Sequence, residues 1–160
     1  MAKVPIQFVL NGDEKAEFVE SGSTLLKVLR EKLGDTSPKG GCHQGTCGTC
    51  SVIVDGELRL SCLTLAETCE GATVTTTAGL AEGGVLHPLQ RAFQEGFATQ
   101  CGFCTPGMIM AAKALLDRVP NPTREEVVDA ISGNICRCTG YEPIIRAILS
   151  AARSNSHHAA

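Results

Sequence analysis

The first half of the chain alternates apolar and polar residues in short runs, which is the pattern of strands in a half-buried sheet. A predicted helix interrupts these runs. Its apolar residues, Leu25, Leu26, Leu29 and Leu33, share one face, and Gly34 can end the helix. Asn11-Gly12 and Asp55-Gly56 are typical of hairpin turns. The predicted elements are strands over 4–10 and 16–20, a helix over 25–33, a glycine-rich loop over 39–49, and strands over 50–54, 57–60 and 73–77. Together they predict a small α+β unit built around the loop.

Helical spacing replaces alternation after Gly79–Gly84, which we interpret as a linker. The first predicted helix spans 86–97, with Leu86, Leu89, Phe93 and Phe97 on one face, and the second spans 105–118 and is largely apolar. The third runs from the capping box of Thr123 and Glu126 to about Gly133. The fourth begins at Pro143 and has its apolar residues inward, namely Ile144, Ile145, Ile148 and Leu149. Four such helices predict a four-helix bundle. We therefore expect domains over 1–79 and 80–153, with a disordered tail over 154–160.

Size, charge and cysteine content narrow the class of protein. With 160 residues, a formal net charge of −3 and no basic run, the chain is a poor candidate for binding nucleic acid. No apolar run reaches the ~18 residues of a membrane span, so direct membrane insertion is not expected. Pro5 and Gln7 interrupt the apolar N-terminal stretch, which argues against a signal peptide. Nine cysteines without such a signal indicate a reducing, cytoplasmic setting, where metal binding is favoured over disulfides.

Eight of the nine cysteines form two sets of four. The N-terminal cysteine set is Cys42, Cys47, Cys50 and Cys62, spaced C-x4-C-x2-C with the last cysteine after eleven further residues. Four thiolates are what one [2Fe–2S] cluster needs, and this spacing is the plant-type ferredoxin pattern. Interleaved glycines let the loop turn tightly and aim backbone N–H groups at the sulfurs. Zinc fits less well because only one C-x2-C knuckle is present, and a Rieske site needs two histidines where only His43 is near.

The C-terminal cysteine set consists of Cys101 and Cys104, spaced C-x2-C, with Cys136 and Cys138, spaced C-x-C. The two pairs lie in connections between predicted helices, which antiparallel packing brings to one end of a bundle. From spacing alone, this set can hold an iron–sulfur cluster or zinc, or act as redox-active thiols. A thioredoxin-type pair is disfavoured because no βαβ unit surrounds the motif. Cys69 is left over, and we expect it to be a small buried or half-exposed apolar residue.

Three longer motifs resemble those of a known family. They are G-C-x4-C-G-x-C at 41–50, Q-C-G-F-C-T-P-G-M-I-M at 100–110 and G-N-I-C-R-C-T-G-Y at 133–141. In order and separation they resemble the iron–sulfur subunit of the xanthine oxidase family of molybdenum hydroxylases. The resemblance covers essentially residues 3–152. It implies a plant-type ferredoxin (β-grasp) domain followed by a helical domain, each with one [2Fe–2S] cluster, as in the small subunit of the heterotrimeric members.

The resemblance also implies roles for particular residues. The N-terminal cysteine set would hold the cluster nearer FAD, and the C-terminal set the cluster nearer molybdopterin. Gln100 matches the glutamine that binds the pterin in this family, and Cys138 lies at the pterin contact. Arg137 would be an interface charge or would tune the cluster potential. The implied partners are a large molybdopterin-binding subunit and a medium FAD-binding subunit in a dimer of heterotrimers, and no catalytic residue is expected on this chain.

Two other classes of function stay open from the sequence. One is a free ferredoxin-like carrier without a fixed complex, which the apolar helix over 107–116 and the second cluster domain disfavour. The other is a zinc-stabilised interaction module with no redox role. The sequence contains no nucleophile with an evident base, no paired-carboxylate motif and no phosphate-binding loop, so substrate and direction would be set by partner subunits.

Overall fold

The structure, a computed structural model, describes residues 2–156. Within them, a mixed sheet of five strands in the order β2-β1-β5-β3-β4 precedes a helical region. The strands are β1 (Lys3–Leu10), β2 (Asp13–Glu20), β3 (Ser51–Val54), β4 (Glu57–Leu60) and β5 (Thr73–Thr75). The helices are α1 (Leu25–Lys27), α2 (Pro88–Glu95), α3 (Thr105–Arg118), α4 (Arg124–Ile131) and α5 (Glu142–Ser156). The predicted α+β organisation, with strands first and helices second, is confirmed.

Two hairpins joined by β5 make up the sheet. β1 and β2 pair antiparallel through a turn in which Asn11 and Gly12 have φ of 53° and 90°. Asp55 and Gly56 repeat this conformation between β3 and β4, with φ of 50° and 82°, as a two-residue hairpin turn requires. β5 runs parallel to β1 and antiparallel to β3. Both predicted turns are confirmed, whereas β5 is shorter than predicted because Thr77–Leu80 forms a 3₁₀ helix.

The helix after β2 differs from the prediction. α1 ends at Lys27, and Val28–Lys32 continues as a π-helix in which the Leu33 N–H donates to the Val28 carbonyl at 3.1 Å. The predicted ends are confirmed, because Thr24 Oγ1 accepts the Lys27 N–H at 3.3 Å and Gly34 follows with φ of 72°. Leu25 and Leu29 lie in the core under the sheet, with Leu33 partly buried against it. Leu26 packs instead with Cys50 and Cys62. The spacing of the leucines therefore predicts a helix without predicting its hydrogen-bond register.

α3 is the central element of the helical region. Nine of its fourteen residues are buried, all between Gly107 and Leu116, as its nearly continuous apolar sequence predicts. It contacts α2, α4 and α5 on one side and β3 and β4 on the other. The core around it also includes Ile53 of β3. α3 therefore packs against both halves of the molecule.

α2 is shorter than predicted at both ends. Leu86 and Phe97 lie outside it and are 40% and 85% exposed, so the predicted inward face was wrong at these two positions. The helix begins after His87, whose Nδ1 accepts the Leu89 N–H at 3.2 Å as an N-terminal cap. Phe97 follows the helix with φ of 50°, a left-handed conformation that ends it. Apolar spacing alone cannot predict either cap.

The last two helices follow the prediction more closely. The capping box of Thr123 and Glu126 is present at the start of α4. Inward residues of α5 are buried at the predicted positions, except that Leu149 is only partly buried. α5 extends through Ser156, beyond the predicted start of the tail at residue 154, and residues 157–160 lie outside the described residues. None of the described helices is long and apolar enough to cross a membrane.

The two halves meet at the N-terminus of α3. Gly107 lies so close to the loop before β3 that a Cβ atom there would overlap the Gly48 carbonyl oxygen. The Thr77 hydroxyl donates to the Pro106 carbonyl at 3.0 Å, and Gln90 Nε2 donates to the Thr77 carbonyl at 3.0 Å. These contacts attach α2 and α3 directly to the end of the first half.

Gly107→Ala is expected to destabilise the protein. Its Cβ atom must displace the Gly48 carbonyl, and overpacking of this kind costs about 1–3 kcal/mol. Gly133→Ala is the matched control, because a Cβ atom there meets nothing within 4 Å. The free energy of unfolding, measured by chemical denaturation followed by circular dichroism, should fall for Gly107→Ala and change by less than about 0.5 kcal/mol for the control. Equal free energies of unfolding for the two variants would contradict the close approach of α3 to the loop.

Candidate metal centres

The N-terminal cysteine set lies on a loop and on the hairpin that follows it. Cys42, Cys47 and Cys50 are in the glycine-rich loop before β3, and Cys62 follows β4. Cys50 and Cys62 are 2% and 6% exposed and pack with Leu26, while Cys42 and Cys47 are half-buried. The set therefore has a buried side toward the sheet and a side near the surface.

Hydrogen-bond donors of the same loop point at the outer sulfurs. The N–H groups of Gln44 and Thr46 donate to Cys42 Sγ at 3.5 and 3.3 Å, and Thr49 Oγ1 lies 3.2 Å from Cys47 Sγ. The Thr46 side chain, followed by the Gln44 N–H, lowers the pKa of Cys42 to about 5. Such donors stabilise the thiolate, which is the form of cysteine that binds metal.

Burial has the opposite effect on the pKa of Cys50. It raises the pKa of Cys50 to about 11, and interactions with the thiols of Cys62 and Cys47 raise that pKa further. The Cys47 thiol also contributes to lowering the pKa of Cys42. The four thiols of the N-terminal set therefore lie close enough to influence one another, as the spacing predicts.

The loop's glycines allow the backbone to approach the sulfurs closely. A Cβ atom at Gly41 would lie 2.8 Å from Cys47 Sγ, and Gly45 has φ of 83°, a conformation that other residues rarely adopt. A side chain at Gly41 would therefore push the chain away from the Cys47 thiol, and one at Gly45 would strain the backbone and collide with Leu63. The resulting donor set, four cysteines with backbone N–H groups aimed at sulfur, fits a [2Fe–2S] core.

The C-terminal cysteine set lies in the two connections where it was predicted. Cys101 and Cys104 are between α2 and α3, and Cys136 and Cys138 are between α4 and α5. Cys101 Sγ and Cys138 Sγ are 3.5 Å apart. Two sulfurs bound to one tetrahedral metal at about 2.3 Å lie roughly 3.8 Å from each other, so this pair fits a single iron.

Burial divides this set into two pairs. Cys104 and Cys136 are buried, whereas Cys101 and Cys138 are exposed. Burial raises the pKa of Cys104 to about 12, and a hydrogen bond with the Cys136 thiol raises it further. The Phe103 N–H instead lowers the pKa of Cys101. The set thus presents one pair of sulfurs to the interior and one pair to the surface.

The contacts are pairwise rather than fourfold. Among the residues that the structure describes, no group of three or more His, Cys, Asp or Glu side chains is placed to hold one metal ion. A binuclear core takes two thiolates on each iron, so contacting pairs such as Cys101 with Cys138 are the arrangement it requires.

Two hydrogen bonds connect the loops that carry the two cysteine sets. The Ile135 N–H donates to the Cys47 carbonyl at 2.9 Å, and Asn134 Nδ2 donates to the Gly48 carbonyl at 3.0 Å. We call these two bonds, between residues 134–135 and 47–48, the loop junction. Because Ile135 precedes Cys136, the junction links one cysteine of each set through backbone atoms and one hydrogen bond.

Sequence reasoning did not identify several residues that support the sites. The Tyr141 hydroxyl accepts the Cys136 N–H at 3.0 Å, and the Thr139 hydroxyl lies 3.2 Å from Cys136 Sγ. Both residues, like Asn134, lie within the motif at 133–141, which is the only signal that could have pointed to them. Spacing cannot pair Asn134 with Gly48, because 86 residues separate them.

The remaining candidate residues lie at the surface or in the core. Gln100, Arg137 and His43 are exposed, and Gln100 directly precedes the exposed Cys101. Cys69 is 0% exposed within the core under the sheet, and burial raises the pKa of its thiol. Cys69 is therefore a small core residue, as expected.

Comparison with known proteins identifies both halves of the chain. Residues 8–86 match the 2Fe-2S iron-sulfur cluster binding domain, and residues 76–149 match the [2Fe-2S] binding domain. The nicotinate dehydrogenase small FeS subunit of Eubacterium barkeri is 48% identical over 148 residues, which are 92% of this chain and 94% of that subunit. The chain belongs to the iron–sulfur small subunits of the xanthine oxidase family of molybdenum hydroxylases. It is therefore the iron–sulfur subunit of an oxidoreductase, with two [2Fe–2S] clusters.

Solved structures agree with this assignment of the iron–sulfur subunit. A chain of quinoline 2-oxidoreductase from Pseudomonas putida 86 superimposes with a TM-score of 0.93 at 43% identity, covering 97% of both chains. The aldehyde oxidoreductase from Desulfovibrio desulfuricans superimposes with a TM-score of 0.92 at 43% identity, covering 96% of this chain and 17% of that one. The same two-domain fold therefore also forms one part of a much longer chain.

Proposed function

We propose that this subunit relays electrons, one at a time, between a molybdopterin site on a large partner subunit and FAD on a medium partner subunit. The loop junction is the observation that carries the proposal. It joins the loops of the two cysteine sets through a hydrogen bond of 2.9 Å from the Ile135 nitrogen to the Cys47 carbonyl oxygen. A [2Fe–2S] cluster, when bound, accepts and releases a single electron. The chain's own part is to hold two such groups close together and to shield them from water.

We assign the ligands according to the two sets. The N-terminal set would hold the cluster nearer FAD, and the C-terminal set would hold the cluster nearer molybdopterin. Mutual effects among the thiols, the 3.5 Å contact of Cys101 with Cys138, and the N–H groups aimed at Cys42 support this assignment. Cys69 has no part in it, since it is enclosed in the core under the sheet.

The exposed edge of the C-terminal set faces the large subunit in this proposal. Cys101 and Cys138 are the only exposed cysteines among the described residues, and exposed Gln100 adjoins them. An exposed Gln100 can donate and accept hydrogen bonds, as recognition of a pterin requires. Sulfur atoms at the surface let an electron enter without crossing a thickness of protein. Arg137 is exposed between Cys136 and Cys138. It is placed either to interact with the partner subunit or to raise the reduction potential of the cluster held by the C-terminal set.

The surface beside the N-terminal set faces the medium subunit. A cavity of about 360 Å³ adjoins the loop. Its charged lining consists of three basic side chains and one acidic side chain, namely Lys27, Arg30, Lys39 and Glu31, and Phe103 of the C-terminal site also lines it. Positive charge at this edge suits a negatively charged group on the partner. Cys42 and Cys47 are half-buried and lie on the same loop, whereas Cys50 and Cys62 are buried. We therefore take this edge as the place where an electron leaves the N-terminal cluster.

The proposal includes the assembly and its setting. We propose a dimer of heterotrimers in the cytoplasm, in which the domains of this subunit span 1–79 and 80–153. We further propose that α2 to α5 act as a four-helix bundle. The buried α3, which contacts each of the other three helices, supports this arrangement.

Serine substitutions should separate the two clusters. Reduced wild-type protein is expected to show two distinct [2Fe–2S] signals by electron paramagnetic resonance (EPR). Cys47→Ser should abolish one signal and Cys104→Ser the other, because each removes one of four thiolates from a different set. Cys69→Ser is the control and should keep both signals and the wild-type iron content. Zinc without iron in the wild-type protein would rule the assignment out.

Purification through a tag on this chain should recover the complex. Two further subunits, molybdenum and FAD are expected to elute with it in gel filtration. A free carrier would instead elute alone, near its own mass of 16.8 kDa. Recovery of the iron-loaded chain without partners from its native host would contradict the relay and favour the carrier.

A further inference from the structure

Asn134 occupies an unusual place between the two cysteine sets. It is a polar residue only 5% exposed, and its side chain spans from the helical region to the loop before β3. Its own N–H donates to the Ile131 carbonyl at 2.9 Å, so its backbone is fixed to the last turn of α4. A side chain anchored to a helix therefore holds a loop of the other domain.

The space around this contact admits little variation. A Cβ atom at Gly48 would lie 2.6 Å from both Asn134 Cγ and the Gly133 carbonyl oxygen, and Gly48 has φ of 68°. The Asn134 side chain therefore touches the bare backbone of Gly48. Any movement of one loop relative to the other must break or bend this contact.

The Gly48 carbonyl does not depend on Asn134 for a partner. The Ser51 hydroxyl and N–H donate to the same oxygen at 2.7 and 3.1 Å, within the loop's own turn. Loss of the Asn134 amide therefore leaves no unpaired carbonyl and leaves the turn intact. What is lost is the link between the loops, which the Ile135 to Cys47 hydrogen bond must then hold alone.

We infer that Asn134 is a positioning residue, which holds the two cysteine loops at a fixed separation and so sets the electronic coupling between the clusters. The inference rests on the proposed relay. Electron tunnelling falls steeply as a through-space gap widens, and a hydrogen bond is a better path than the same gap without one. Asn134 keeps the Ile135 to Cys47 bond short although Ile135 itself is 51% exposed.

Asn134→Ala and Asn134→Asp test the inference in the full chain loaded with iron. Both remove the amide donor, and Asp keeps the side-chain volume in case the smaller residue impairs folding. Asn11→Ala is the matched control, because Asn11 makes comparable bonds to Thr76 at 2.8 and 3.0 Å on the sheet side, away from the loop junction. The readouts are the magnetic splitting between the two reduced clusters by EPR and the rate of electron redistribution after pulsed reduction.

Both Asn134 variants should retain the iron and both EPR signals, show a smaller splitting, and redistribute electrons more slowly than wild type. The control should lose stability with splitting and rate unchanged. Wild-type splitting and rate in the Asn134 variants would overturn the inference and leave the relay standing. Loss of a cluster signal would also overturn it, since Asn134 would then serve cluster binding. Absence of splitting and redistribution in wild type would instead contradict the relay itself.

Discussion

The structure depends on a contact between two loops that brings backbone against backbone. The loop junction requires that residues 47–48 and 134–135 lie within hydrogen-bond distance, and Gly48 and Gly107 allow this because neither carries a side chain. A Cβ atom at either glycine would force the loop before β3 away from the helical region, beside the loop junction. Stability of the domain interface and proximity of the metal centres thus have the same origin.

Burial determines how each centre is built. The buried thiols of Cys50 and Cys104 have pKa values of about 11 and about 12, so these two are protonated at neutral pH unless a metal replaces the proton. Bound iron supplies the positive charge that the buried thiolates need, so the interior of each site is complete only with its cluster. The outer thiols lie near or at the surface, where partner subunits can approach. Each set therefore has a closed side and an open side, which is the arrangement that the proposed relay needs.

The sequence predicted the parts of this structure that rest on local rules. Turn residues such as Asn11-Gly12, the capping box at Thr123, the apolar α3 and the spacing of the N-terminal cysteines each report a short-range preference. It did not predict the π-helix over Val28–Lys32, since the leucine pattern suits both helix types, or the exposed Phe97. The bond from Asn134 to Gly48 could not be predicted either, because it depends on how the two halves of the chain pack against each other.

The central claim is that one electron path runs through both centres of this chain. Freeze-quench EPR of the native complex, mixed with its reducing substrate, tests this most directly. Both [2Fe–2S] signals should develop within the time of a single turnover, with the signal from the C-terminal set no later than that from the N-terminal set. A cluster that stays oxidised through many turnovers would contradict the claim.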